Sequence, residues 1–183
     1  ALSFVNKLTS GYWDIMDPTN GYTAISISAL KLLPLDQIDN RYFFESDMLF
    51  RLNTVRAVVY DIPMHSKYGD EVSNLNIKRV LFKFPLKYLN RFLKRIVYNY
   101  FLRDFNAGSM HLLFGMLLIL IGSSLGIHWW THARSIQQFT STGRVMMSAI
   151  PILLGFQLLL SAMQYDISNT PKISLSKLFG RTK

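Results

Sequence analysis

The chain has 183 residues, half of them hydrophobic, and a formal net charge of +9. It contains no cysteine, which excludes a disulfide framework, a thiolate metal site and a cysteine nucleophile. The length fits one ordinary domain or a small domain with a membrane anchor, and a mean hydropathy of +0.19 favours the second.

Charge is unevenly placed. Residues 1–76 carry six Lys/Arg and nine Asp/Glu, a balance of −3, whereas residues 77–183 carry fourteen Lys/Arg with only Asp104 and Asp166. A basic chain is a candidate for nucleic-acid binding. Here the positive charge flanks long apolar runs, so anionic lipid headgroups are the better partner and nucleic acid is not expected.

The N-terminal 20 residues hold one Lys and no apolar core segment, so they do not read as a signal peptide. Residues 22–27 alternate loosely as a strand and lead into a helix over 28–33 that Pro34 closes. Residues 41–53 have helix-forming composition, with Phe44, Met48 and Leu52 on one stripe. Residues 55–62 (VRAVVYDI) form the clearest strand, rich in β-branched residues and stopped by Pro63. An α/β region of 76 residues with two strands and two helices buries too little core to stand alone. The expectation is that further sequence precedes Ala1 or that another chain completes it.

Residues 77–105 combine Leu89, Phe92, Leu93, Ile96, Val97, Tyr100 and Phe101 at helical spacing with Lys87, Arg91, Lys94 and Arg95. Pro85 predicts a split into two short helices. A Leu/Phe face beside a basic face is the pattern of helices lying in the headgroup plane. Residues 105–133 and 145–165 lack charge, and each run is long enough to cross a bilayer. Trp129 and Trp130 mark an interface at the end of the first, predicting spans over about 109–130 and 145–165. Gly115, Gly122, Gly126, Ser148, Gly155 and Ser161 suit close packing of the two. Eight Lys/Arg lie between Lys78 and Arg103 and four follow the second span, against Arg134 and Arg144 between them. Both ends are therefore expected on the cytoplasmic side of an inner or plasma membrane, residues 166–183 forming a basic cytoplasmic tail. His128 and His132 read as interfacial residues rather than metal ligands.

Four short stretches carry candidate chemistry. They are Asp17-Pro-Thr-Asn20-Gly21-Tyr22, Phe43-Phe-Glu45-Ser-Asp47, Asp61-Ile-Pro-Met-His65, and Lys67-Tyr68-Gly69-Asp-Glu-Val-Ser73-Asn74. Each alone has a bland reading as a turn, a solvated helix face or a loop. Their order, followed by a basic interfacial segment and a hairpin, resembles family 2 glycosyltransferases of GT-A type. The likeness is to the membrane-anchored branch related to dolichyl- and polyprenyl-phosphate sugar synthases, and to the C-terminal part only. It rests on Asp17, Gly21 and Tyr22, on Phe44, Asp47 and Met48, on Ile62-Pro63, and on Tyr68, Gly69 and Ser73.

The resemblance implies that residues 1–76 are the acceptor side of a GT-A catalytic domain, in its α/β C-terminal half. Interfacial amphipathic helices (77–105) and a two-span transmembrane hairpin (106–165) follow. It implies inverting transfer from a nucleotide sugar to a lipid-linked acceptor, a polyprenyl phosphate or a lipid-linked glycan of the cell envelope. Asp47 is the first candidate for general base and Glu45 the second. Asp17, Asn20, Gly21, Tyr22, Lys67, Tyr68, Gly69 and Ser73 would bind acceptor or phosphate. Mg²⁺ or Mn²⁺ would be held mainly by a nucleotide-binding half with a D-x-D motif, which has no counterpart here. The chain is therefore expected to be inactive alone, no metal ligand is assigned in it, and a homo-oligomer is left open. Thr23, where the family often has Arg, and the stretched Tyr68–Ser73 spacing put the lipid-phosphate acceptor in question. The alternative is a non-enzymatic membrane anchor or scaffold with a basic lipid-binding helix.

Overall fold

A nine-residue helix, α1 (Leu2–Ser10), opens the chain and stops at Gly11, whose φ of +77° is ready only for a residue without Cβ. This is a computed structural model, and it describes residues 2–63, 77–175 and 177. The chain divides into two units, one of residues 1–99 with 169–183 and one of residues 100–168.

In the first unit a single helical turn, α2 (Ile27–Leu30), is capped by Ser26, which accepts from the Ala29 amide at 3.3 Å. A short 3₁₀ turn (Arg41–Phe43) runs into α3 (Phe44–Thr54). That helix ends in two reversed bonds, Ala57 N to Leu52 O at 2.9 Å and Arg56 N to Asn53 O at 3.0 Å. Arg56 sits at φ +58° in the place where a glycine usually terminates a helix. The apolar core joins Tyr12, Ile15, Ala29, Leu33, Leu52, Ala57 and Leu175, with Met48, Leu49, Val55 and Val59 packed against it. Leu175 arrives from beyond the second of the two long apolar helices, so residues 169–175 belong to this unit.

The α/β half-domain expected for residues 1–76 is overturned, because no strand forms among the described residues. Residues 22–26 and 57–63 take no regular secondary structure. β-Branched side chains favour an extended backbone, yet a strand becomes one only within a ladder. Ala57 and Val59 pack on the core, and Asp61 accepts from the Met16 amide at 2.5 Å.

Pro85 does not split the next segment. α4 (Ile77–Val97) runs through it. A proline costs one intrahelical bond, and here packing on the same helix offsets it: Phe84 and Tyr88 meet the Phe43 ring edge-on at 5.4 and 5.0 Å.

After a π-helical turn (Tyr98–Leu102), the second unit holds two long helices, α5 (Ala107–Ser135) and α6 (Thr142–Ser168). Asn106 and Ser109 cap α5 reciprocally, each side chain accepting from the other's amide at 3.3 and 3.0 Å. Both helices are long and apolar enough to cross a membrane, and most of their surface is exposed in the chain. A core helix of a soluble protein would be covered, so the chain reads as a membrane protein. The helices touch through glycine. A Cβ on Gly122 would lie 2.7 Å from Ser148 O, and one on Gly155 would lie 2.8 Å from Gly115 O. At the other end Tyr100 Oη donates to Asp166 at 2.5 Å, and Ser109 Oγ donates to the Tyr100 carbonyl.

Candidate functional site

The Asp17–Tyr22 stretch is a loop built on its own side chains. Asp17 Oδ1 accepts from the Thr19 amide at 3.1 Å and its hydroxyl at 2.8 Å, and Asn20 Oδ1 accepts from the Tyr22 amide at 3.0 Å. Asp and Asn favour this arrangement because their short side chains reach the backbone two residues on. The loop is pinned from below by Asn6, which is fully buried on α1 and donates to Pro18 O at 3.2 Å and to Ser46 Oγ at 2.9 Å. Ser46 in turn shares a hydrogen bond of 3.0 Å with Tyr88 of α4. Burial raises the Tyr88 pKa above 10.0; the Ser46 hydrogen bond opposes this and the nearby Glu45 charge adds to it.

That network brings the loop to α3. A Cβ placed on Gly21 would lie 3.6 Å from Glu45 Oε1, so the first and second sequence motifs meet at these two residues. Glu45 is half-buried and Tyr22 is 86% exposed.

Asp47 has a different environment. It is fully buried. Its Oδ2 accepts from the Asp39 amide at 2.8 Å and Arg51 Nε at 3.1 Å. Arg91 of α4 approaches Oδ1 to 2.6 Å as an ion pair without hydrogen-bond alignment. Arg51 also donates to Gln37 O, and Lys87 pairs with Asp39 at 2.5 Å. A carboxylate held this way positions a helix; of the two expected bases, Glu45 is the one that reaches the surface.

Lys67, Tyr68, Gly69 and Ser73, with His65 and Asn74, lie outside the described residues. Asp17, Asn20, Gly21 and Tyr22 share one loop with Glu45 beside it, while Asp47 is beneath. Among the described residues no three His, Asp or Glu side chains converge as a metal site.

The inward face of α4 was not foreseen. Lys87, Arg91 and Arg95 follow one another at four-residue spacing and all turn toward this unit. Arg95 is buried and donates to Leu8 O at 2.7 Å, at the C-terminal end of α1. A Cβ on Gly11 would lie only 2.5 Å from its guanidinium, so that glycine serves a close approach as well as a positive φ. Asn99 donates to Asn53 at 2.8 Å beside it. The opposite face of α4 exposes Leu86, Leu89, Leu93 and Val97, flanked by exposed Lys83 and Lys94. Spacing of i and i+4 between Asp47 and Arg51, and again along Lys87, Arg91 and Arg95, is the signal in the sequence that points to this clamp.

No protein-family model, curated protein or solved structure matches this chain.

Proposed function

We propose that the chain is the membrane-bound acceptor side of an inverting glycosyltransferase. It would act on a nucleotide sugar and a lipid-linked acceptor, a polyprenyl phosphate or a lipid-linked glycan, at the cytoplasmic membrane face. The observation that carries this reading is Glu45 beside Gly21, above a buried Asp47 that Arg91 ties to α4. In it the first and second of the four motifs that carry the resemblance lie beside each other.

Glu45 is the base where the acceptor is a hydroxyl. It takes the hydroxyl proton as that oxygen bonds to the anomeric carbon, and the bond from that carbon to the nucleoside diphosphate breaks. A phosphate acceptor is already ionised near neutral pH and needs no base. Asp47 is a positioning residue in both cases. The donor-binding residues and the cation belong to another polypeptide segment.

Membrane placement fits the same reading. The exposed leucines of α4 would lie at the bilayer interface, with Lys83 and Lys94 reaching anionic headgroups. The Lys/Arg asymmetry favours cytoplasmic chain ends. A scaffold with a free basic helix gains less support, since Lys87, Arg91 and Arg95 turn inward onto protein groups.

The test uses native membranes carrying the wild-type chain, the Glu45→Gln variant, or no chain, each given a panel of radiolabelled nucleotide sugars. One sugar is expected to enter the solvent-extractable lipid fraction only when the chain is present. With a hydroxyl acceptor, Glu45→Gln lowers that rate about 100-fold or more. Identical lipid labelling with and without the chain, for every sugar, would sink the proposal.

A further inference from the structure

Residues 145–165 of α6 are uncharged, yet they include two glutamines, Gln157 and Gln164. Both are exposed. At about 100° per residue, a spacing of seven puts them on one face of the helix, which Met146, Ile150 and Leu153 continue toward its other end. Those three are exposed as well. The face that packs on α5 is the opposite one. Gly155, whose added Cβ would lie 2.8 Å from Gly115 O, is turned about 200° from Gln157. The serines of the stripe are satisfied within their own helix: Ser161 Oγ donates to the Gln157 carbonyl at 3.0 Å, and Ser168 Oγ to that of Gln164 at 3.0 Å. The side-chain amides of the two glutamines bond to no described residue. Gln157 lies about 16 Å of helix from the nearer end of α6, too deep for a short side chain to reach water. An amide left unpaired in hydrocarbon is costly.

We infer that the Gln157/Gln164 face of α6 is an interaction surface on which a second copy of this chain docks within the bilayer. The two α6 helices run parallel and pair through these amides. A primary amide carries a donor and an acceptor on one group, so two of them related by a two-fold axis satisfy each other. Amide bonds of this kind hold helices together where apolar contact alone gives no preference over lipid. A charged partner would leave its own charge uncompensated against a neutral group in hydrocarbon. Depth then selects the second copy. Copies inserted in the same direction carry Gln157 and Gln164 at matching depths, so both pairs form together, whereas an unrelated helix must reproduce that depth and spacing. The inference rests on α5 and α6 crossing a bilayer and holds whichever reaction the chain supports.

The absence of cysteine gives the test clean reporters. The full chain carrying Ile150→Cys, Leu153→Cys or Leu120→Cys, the last on the exposed surface of α5, is placed in phosphatidylcholine vesicles at low density. Disulfide formation between copies is followed under mild oxidation, and stepwise photobleaching of fluorophore-labelled Leu120→Cys counts the copies together. Two bleaching steps are expected, with cross-linking several-fold faster at Ile150→Cys and Leu153→Cys than at Leu120→Cys. Gln157→Leu, which keeps the span apolar, is expected to weaken association roughly 3- to 30-fold, and Gln157→Asn by less. Single bleaching steps at every density overturn the inference, as does cross-linking fastest at Leu120→Cys, which would place the contact on α5. Association unchanged when Gln157→Leu and Gln164→Leu are combined also overturns it. Cross-linking of the face to a different protein in native membranes, with single copies in vesicles, assigns the face to another chain and overturns it too.

Discussion

Arg91 of α4 meets Asp47 of α3 at 2.6 Å, joining the helix that precedes the membrane spans to the helix that carries the acidic motif. Asp47 also receives Arg51 at 3.1 Å, so one buried carboxylate serves two guanidinium groups. Breaking a buried pair leaves an uncompensated charge, at a cost of roughly 3–5 kcal/mol. Asp47→Asn strands both arginines, and the first unit is expected to lose about 3 kcal/mol or more. Glu45→Gln, at a half-buried position, changes stability by about 0.5 kcal/mol or less. Urea midpoints read from amide exchange in α1 and α3 compare the two, and equal midpoints would refute the clamp.

Alkaline pH attacks the same unit through its tyrosines. Burial pushes the Tyr12 pKa far above 10.0, opposed only in part by Arg56, and raises that of Tyr88 as well. Above pH 10 the unfolded chain releases these protons while the folded chain keeps them. Stability is then full below about pH 10 and falls as pH rises toward the folded values, by up to about 1.4 kcal/mol per pH unit for each tyrosine. Tyr12→Phe is expected to flatten that fall, although it removes the hydrogen bond to Ala57 O. An unchanged slope between pH 10 and 12 in the variant would show that Tyr12 is not its source.

The exposed face of α4 yields a prediction that the absence of cysteine makes clean to measure. Single Leu86→Cys and Leu93→Cys variants carrying an environment-sensitive fluorophore are expected to be quenched by brominated lipid and not by aqueous iodide. The reverse result would place this face in water. The contact is also expected to survive 1 M salt, because three cations of the helix are engaged with Asp39, Asp47 and the end of α1 rather than with headgroups.

How far the sequence could be read followed from the range of the interactions. The two spans were legible because bilayer thickness imposes a long uncharged run, and α3 because its stripe is local. The amphipathic pattern of α4 was legible too, but not the direction of its basic residues. Apolar spacing marks which positions share a face and says nothing about whether an aspartate waits opposite. The strand expected at 55–62 failed for the same reason: Val58, Val59 and Ile62 favour extension, but pairing depends on a partner backbone that no local pattern encodes. In the candidate site, Asp17, Gly21 and Glu45 were found as motifs, whereas Asn6 and Tyr88, which hold them together from distant helices, gave no local signal.

Close helix crossing in the hairpin predicts opposite results at neighbouring glycines. Gly122→Ala drives a methyl to 2.7 Å from both Ser148 O and Ile152 Cγ1, and is expected to cost about 1–3 kcal/mol. Gly143, at the start of α6, has nothing within 4 Å, so Gly143→Ala is neutral or stabilising by a few tenths to about 1 kcal/mol. Gln137, held at φ +52° after α5, offers the converse change, and Gln137→Gly relieves roughly 1 kcal/mol of left-handed strain. Thermal unfolding in detergent ranks the three, and a Gly122→Ala hairpin as stable as wild type would contradict the crossing.

Leu175 ties the segment after α6 into the first unit, packing with Tyr12, Ile15, Ala29 and Leu52. Arg56 supports the same segment, donating to the Asn169 carbonyl at 2.9 Å and to its side chain at 3.3 Å. Leu175→Ala removes a buried leucine, and core truncations of this kind cost about 2–5 kcal/mol. The lower part of that range is expected if residues 169–175 detach before the rest of the core opens. Trypsin reports this directly, because Lys172 and Lys177 are exposed on either side. Cleavage at both is expected to accelerate at least tenfold in Leu175→Ala while sites in α1 and α3 stay protected. Simultaneous cleavage everywhere would mean instead that Leu175 supports the whole core and that the segment has no separate opening.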